Sequence, residues 1–229
     1  MFKRLFNYFT RLELFLWLGS VSATVISYVA FGGDGALTLI ASLIGITSLI
    51  LNAKGNPIGQ VLMLLFSAMY GVISYSFAYY GEMITYLGLT APMALLALVS
   101  WLRHPYNGNR SEVAVNRIRK GEVPLMLALT AAVTLIFYFI LAALGTSSLI
   151  ISTVSVTTSF VAVYLTFRRS PYFALAYAAN DIVLIVLWII ASVYDSSYVS
   201  VAVCFLSFLV NDIYGFFSWL KMEKRQHKL

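Results

Sequence analysis

What constrains this chain most is where its charges are missing. Eight runs are almost free of Lys, Arg, Asp and Glu: residues 12–31, 36–53, 57–79, 82–102, 123–144, 147–167, 171–193 and 198–220. A helix crossing the hydrocarbon layer of a bilayer needs roughly 20 mostly apolar residues, and each run is near that length. Charged residues make up 10% of the sequence, hydrophobic ones 61%, and the mean hydropathy is +0.87. Soluble domains carry about 25% charged side chains, so soluble, disordered and collagen-like readings are excluded. Barrel strands would alternate in segments of about 10 residues, whereas these runs are continuous. The reading is an all-α membrane protein with eight transmembrane helices.

The breaks carry loop chemistry. Gly32-Gly33-Asp34-Gly35 reads as a tight turn, and Tyr194-Asp195-Ser196-Ser197 as a short polar connection. Asn56-Pro57 and Ser170-Pro171 place proline at a first helical position. Only residues 103–122 form a longer loop. The first run is too long for a signal-peptide core and no small-residue cleavage site clearly follows it, so it reads as a retained helix. A single cysteine, Cys204, excludes an internal disulfide framework. With only His104 and His227, nothing calls for a metal or another cofactor.

Orientation follows from Lys and Arg. Lys3, Arg4 and Arg11 precede the first run, and Lys54 follows the second. Arg103, Arg110, Arg117, Arg119 and Lys120 follow the fourth, Arg168 and Arg169 the sixth, and Lys221, Lys224, Arg225 and Lys228 the eighth. In an eight-span chain these all fall on one side, while the opposite connections hold Asp34, Glu82 and Asp195. Both termini are therefore expected in the cytoplasm, in a multi-pass membrane protein. The net charge of +6 then reads as a topology signal and requires no nucleic-acid partner. On that side the triplet Asn109-Arg110-Ser111 is not a glycosylation site.

An internal repeat emerges from the span ends. Ser100-Trp101-Leu102-Arg103 closes the fourth run and Ser218-Trp219-Leu220-Lys221 the eighth, while Pro57 and Pro171 open corresponding runs. Ala41, Gly45, Ser48 and Asn52 match Ser155, Ser159, Ala162 and Thr166, each set on one helix face. Small residues let membrane helices approach closely. The expected division is residues 1–35 as an extra N-terminal helix, 36–102 as a first three-helix repeat, 103–146 as loop and linker helix, 147–220 as a second repeat, and 221–229 as a basic tail. Three helices end on the opposite side, so an added crossing makes the repeats parallel, in a 3+1+3 core. Parallel repeats with a site between the halves near the midplane are a transporter device.

Ionisable residues are costly inside a bilayer and mark function. Asp181 lies in the seventh run and Asp212 in the eighth, each after an asparagine, Asn180 and Asn211. Tyr177 shares a face with Asn180, and Tyr214 and Ser218 share one with Asn211. Gln60, Ser67, Tyr70 and Ser74 line the third run; Tyr86 and Thr90 lie in the fourth, before Pro92, which frees a carbonyl and marks a hinge. The candidate substrate contacts are Asn211, Tyr214, Asn180, Tyr177, Gln60, Tyr70, Tyr86, Asp181 and Asp212; no residue is assigned a catalytic role. Rings with amides and hydroxyls suit a planar hydrogen-bonding ligand. Trp101 and Trp219 read as interfacial anchors.

Tyr80-Gly81-Glu82-Met83, Pro92 and Trp101, together with Asn211-Asp212-Ile213-Tyr214-Gly215 and Trp219, resemble the PnuC family of bacterial vitamin transporters. The resemblance covers residues 36–220. It implies a fold similar to full-length relatives of the SWEET sugar transporters, and facilitated diffusion of a nucleoside-like vitamin (nicotinamide riboside, or in subfamilies thiamine, riboflavin or deoxynucleosides). It also implies trapping by a cytoplasmic kinase, with Asn211 and Tyr214 of the Asn-x-x-Tyr motif as substrate contacts. Nicotinamide riboside members carry Trp-x-x-Trp in the penultimate helix, where this chain has Tyr177-Ala178-Ala179-Asn180. That departure favours a nucleoside or thiamine as alternatives.

Implied partners are the small-molecule substrate, the bilayer and the kinase, with a homo-oligomer left open. The competing mechanism is an ion-coupled transporter using Asp181 and Asp212. A more distant alternative is an intramembrane aspartyl enzyme, though no glycine-flanked aspartate lies within a span. A non-transporting receptor is the third alternative. No Walker loop and no intramembrane lysine for a retinal Schiff base is present.

Overall fold

The computed structural model describes residues 8–31, 35–76, 80–146 and 148–227. Lys3, Arg4, the Gly32-Gly33-Asp34 part of the first turn, the end of the third run and Lys228 lie outside them. Eight helices are long and apolar enough to span a membrane. They are α1 (Arg11–Phe31), α2 (Ala36–Ala53), α3 (Ile58–Ser76), α4 (Tyr80–Arg103), α5 (Glu122–Ala143), α6 (Leu149–Phe167), α7 (Tyr172–Ser192) and α8 (Val199–Gln226). The helices α2, α3, α4, α6, α7 and α8 pack in a closed ring in that order, with α1 against α2 and α8 and with α5 against α6.

The two halves of the ring hold each other by a reciprocal set of hydrogen bonds. Trp101 Nε1 donates to the Thr166 carbonyl (3.0 Å) and Ser100 Oγ to the Phe167 carbonyl (3.0 Å). Trp219 Nε1 donates to the Asn52 carbonyl (2.7 Å) and Ser218 Oγ to the Ala53 carbonyl (2.8 Å). The last carbonyls of a helix have no partner within it. Here the Ser-Trp end of α4 satisfies those of α6, and the Ser-Trp end of α8 those of α2. Trp101 and Trp219 are 0% exposed and their rings lie 5.3 Å apart. They are therefore not interfacial anchors: an indole needs one N–H acceptor, and the opposite repeat supplies it before any headgroup can.

The equivalence extends past the helix ends. Gly55 and Arg169 both adopt positive φ (67° and 58°), and their carbonyls accept from Val113 N and Asn116 N. Lys54 pairs with Glu13 at 3.2 Å, and Arg168 with Glu122 through two bonds of 2.7 and 3.0 Å. The matched small residues Ala41, Gly45, Ser48 and Asn52, and Ser155, Ser159, Ala162 and Thr166, are all buried.

The outermost helices differ. The buried residues of α1 are Glu13, Ser20, Thr24 and Ser27, all polar, whereas Phe15, Ile26 and Val29 are exposed. This helix turns its polar stripe inward and its apolar surface to lipid, the arrangement by which polar side chains join membrane helices. The helix α4 departs from α geometry over Thr85–Thr90, a π segment in which Ala91 N donates to the Tyr86 carbonyl. Pro92 follows it, so the break expected at the proline is placed one turn earlier. Glu82, read from sequence as part of an outer connection, is 2% exposed within α4.

Two features of the basic end differ from the sequence reading. The 103–122 loop contains a hairpin of β1 (Pro105–Tyr106) and β2 (Asn109–Val113). Its turn is Asn107-Gly108, both with positive φ, the signature of a type I′ turn. The basic tail is not free over residues 221–226: α8 continues through Gln226, whose side chain bonds Val115 N, the Val113 carbonyl and Glu112. Arg225 also pairs with Glu112, and Arg117 with Glu223 at 2.7 Å. At the opposite end Asp195 accepts from Ser197 N and Oγ, which holds its carboxyl below the ordinary value.

Replacing either tryptophan by phenylalanine removes one hydrogen bond while keeping most of the ring. Trp101→Phe and Trp219→Phe are each expected to cost about 1 kcal/mol and to lower the melting temperature of the purified protein by roughly 2–4 °C. Equal losses match the reciprocal arrangement; a loss at only one of the two positions contradicts it.

Candidate functional site

The ring of six helices encloses a small central cavity. Its wall includes Leu49 of α2, Met63 and Phe66 of α3, Tyr86 and Thr90 of α4, Ser159 of α6, Tyr177, Asn180 and Asp181 of α7, and Phe205, Phe208 and Asp212 of α8. The cavity is about 20 Å³, room for one water molecule, whereas ligand pockets run to about 300–1,000 Å³. At this volume the cavity is too small for a ligand of that kind. Gly45 makes the closure tight, since a Cβ there would meet the Phe208 ring at 2.5 Å.

One half of the wall is aromatic. Tyr70 packs on Tyr86 with ring centres 4.5 Å apart, and Phe66 meets Tyr70, Tyr86 and Phe208 at 5.4, 5.8 and 5.4 Å. Phe205 and Trp188 both stand edge-on to Tyr70. The other half is polar. Asn180 Oδ1 accepts from Thr158 Oγ1 at 2.8 Å and Ser159 Oγ at 3.1 Å, with Ser155 Oγ at 3.4 Å. This holds the amide in place and leaves its nitrogen for a ligand. Asp181 and Asp212 bring two carboxyl groups to the same wall. Asp181 Oδ2 is buried without a donor, and among the described residues no Lys or Arg lines the cavity.

Of the residues singled out from sequence, Tyr86, Tyr177, Asn180, Asp181 and Asp212 meet at the cavity, with Tyr70 directly behind Tyr86. Three do not. Gln60 donates to Asn52 Oδ1 at 2.9 Å near the basic end. Asn211 donates to Ser20 Oγ at 2.8 Å and to the Ser207 carbonyl at 2.7 Å, and Tyr214 donates to Glu13 Oε1 at 3.0 Å. Both α8 residues face α1, because successive residues of a helix point about 100° apart and Asp212 takes the inward direction. Thr158 and Trp188 were missed. The signal for Thr158 was the hydroxyl-rich stretch Ser155 to Ser159 beside a predicted small-residue face.

A larger cleft of about 390 Å³ opens at the basic end, between Tyr8, Lys54, Glu112, Lys221 and Arg225. Its lining comes from the end of α2, the hairpin, the end of α8 and Tyr8 ahead of α1.

The sequence profile of the family described as "Nicotinamide mononucleotide transporter" matches residues 35–221. The chain belongs to this family. The nicotinamide riboside transporter PnuC of Neisseria mucosa is 26% identical over 228 residues, covering 97% of this chain and 86% of that protein. The protein of the same name from Haemophilus influenzae is 26% identical over 194 residues, 84% of this chain and 82% of its own. A crystal structure of the vitamin B3 transporter PnuC aligns with a TM-score of 0.82 at 23% identity, over 95% of this chain and 94% of that one. That agreement establishes the shared fold. This member of the nicotinamide mononucleotide transporter family is a multi-pass membrane protein of transporter type, not an enzyme.

Two substitutions separate the cavity from its surroundings. Asn180→Ala removes the acceptor of Thr158 and Ser159 and should weaken ligand binding by about tenfold or more, the effect of losing roughly 1.4 kcal/mol. Asn211→Ala should lower thermal stability through lost contact with α1 while leaving affinity within about twofold. Calorimetric titration of the purified variants checks both, and the reverse pattern would move the site to the Asn211 face.

Proposed function

We propose that this chain carries a nicotinamide-riboside-like vitamin nucleoside, or a thiamine-like vitamin, across a bacterial inner membrane by facilitated diffusion. Both termini lie in the cytoplasm, and a cytoplasmic kinase phosphorylates the delivered substrate and so prevents its return. The observation that carries this reading is the enclosed cavity between two three-helix units in a chain whose relatives over most of its length are named nicotinamide riboside transporters. The units are residues 36–102 and 147–220, which rock about the Ser-Trp contacts to expose the cavity to either side. Tyr86, Tyr177, Asn180, Asp181 and Asp212 touch the substrate, with Tyr70 supporting Tyr86. Tyr177 and Asn180 give less stacking area and more hydrogen bonding than a pair of indoles.

Ligand binding to the folded state stabilises it, by about 2.7 kcal/mol at a hundredfold excess over Kd. A thermal-shift panel of nicotinamide riboside, thiamine, riboflavin, ribonucleosides and deoxynucleosides should therefore give a selective rise for one vitamin. In proteoliposomes the selected compound should equilibrate without a pH gradient, and collapsing such a gradient should leave the initial rate unchanged. Loss of uptake on collapse would replace facilitated diffusion with proton coupling through Asp181 and Asp212. No shift with any compound would remove the vitamin reading.

A further inference from the structure

The two halves of the ring match up to their Ser-Trp ends and then diverge. The helix α4 stops at Arg103, just past Trp101, whereas α8 continues well past Trp219 to Gln226. The hairpin and the strand-free residues after it fold against that extension through Glu112, Val113 and Val115. Between the extension, the hairpin and the end of α2 lies the cleft of about 390 Å³, a size within the range of small-molecule sites. Its charges do not cancel. Lys221 and Arg225, four residues apart on α8, both line it, and Lys54 faces them from the end of α2. Lys54 pairs with Glu13, and Arg225 with Glu112 through Nη2. The other acids of this end are also committed, Glu122 to Arg168 and Glu223 to Arg117. Lys221 is exposed and, among the described residues, pairs with no acid. Like charges four apart on a helix repel, so the wall keeps an excess of positive charge. Tyr8 closes one side, its ring centre 4.7 Å from Lys54 Nζ. Ser111 and Asn109 bring a hydroxyl and an amide from the hairpin.

We propose that this cleft is a site for a phosphate group, held by Lys221, Arg225 and Lys54, and that its occupant braces the two halves and slows transport. A tetrahedral oxyanion accepts charge-assisted hydrogen bonds from ammonium and guanidinium donors placed around it. It also supplies the negative charge that the wall lacks. Lys54 ends a helix of the first half, and Lys221 and Arg225 end a helix of the second, so one bound phosphate joins both. It adds to the bond from Ser218 Oγ to the Ala53 carbonyl at the same place, about which the halves rock in the proposed transport cycle. Binding stands without that movement; the slowing of uptake rests on it. Two carriers present this group at the basic end. One is a soluble phosphomonoester, the form into which a kinase converts a delivered nucleoside or vitamin. The other is the headgroup of an anionic lipid. The first makes the cleft a sensor of accumulated product.

Calorimetric titration of the purified protein compares inorganic phosphate, adenosine monophosphate and adenosine. The first two should bind, and Lys221→Gln should weaken both by about tenfold, while adenosine shows no dependence on Lys221. Lys221→Arg should retain binding, and raising the salt to about 1 M should weaken it, because exposed charges are screened. Lys221 is exposed, so the ligand-free variants should melt with the wild type, which shows that they are folded. In nanodiscs, a thermal shift that requires phosphatidylglycerol and Lys221, with no response to the soluble phosphates, assigns the site to a lipid headgroup. In proteoliposomes, saturating phosphate on both faces should slow exchange of the vitamin selected by the thermal-shift panel about twofold or more, and should not do so in Lys221→Gln. Binding of none of these phosphates, or binding unchanged by Lys221→Gln and by salt, overturns the site. Binding without slowing overturns the brace. Absence of vitamin uptake in phosphate-free vesicles removes the transport reading and leaves the calorimetric result on the cleft standing.

Discussion

A backbone carbonyl at the end of a helix has no water to turn to once neighbouring helices and lipid close over it. The rest of this structure depends on how α2 and α6 meet that condition. Each has its terminal carbonyls taken up by the serine and tryptophan that end the last helix of the other half. Neither half is complete alone, and the two are brought into register at one end of the bundle. The same helix ends carry Lys54 and Arg168, which hold Glu13 of α1 and Glu122 of α5. The two helices outside the ring are thus attached at equivalent points, and α1 plays toward α2 a part that α5 plays toward α6. Breaking one of these pairs would leave a buried or half-buried carboxylate, a larger penalty than the value of an exposed pair.

With the halves fixed at the basic end, the polar groups of the ring's interior have to satisfy one another. Most hydroxyls do so by bonding the carbonyl three or four residues earlier in their own helix, as Ser67, Thr166 and Ser207 do. Asn180 draws on three hydroxyls of α6. Among the residues lining the cavity, Asp181 is the exception, its Oδ2 buried without a donor.

Much of this architecture is legible in the sequence because charge is excluded from lipid so strongly. All eight spans, and the equivalence of the Ser-Trp ends, follow from where a few residues fall. What the sequence does not convey is which way a helix face points. In a soluble helix the apolar stripe identifies the core, but in a bilayer both lipid and protein interior are apolar. The spacing that groups Asn211, Tyr214 and Ser218 is correct as a face, and nothing in it says that the face meets α1 and α2 while Asp212 meets the cavity. The inward polar stripe of α1 was hidden for the same reason. Trp101 and Trp219 sit where interfacial anchors belong, and only the facing carbonyls of the other repeat reveal their role. The hairpin after α4 had a local signal, Asn107-Gly108, embedded in a stretch too polar to suggest strands.

The π segment in α4 bears on how this helix can vary. Its buried positions run from Glu82 and Tyr86 through Thr90 to Ala94, Ala97 and Trp101, so one continuous face serves both the cavity and the contact with α6. An added residue in a helix rotates everything beyond it by about 100°, and the wider turn at Thr85–Thr90 absorbs that rotation. Deleting one residue there would restore ordinary α bonding and make the helix locally more regular. It would also swing Tyr86 out of phase with Trp101, so that one helix could no longer both line the cavity and join the halves. The wide turn acts as a phase corrector, and the length of α4 cannot drift by single residues.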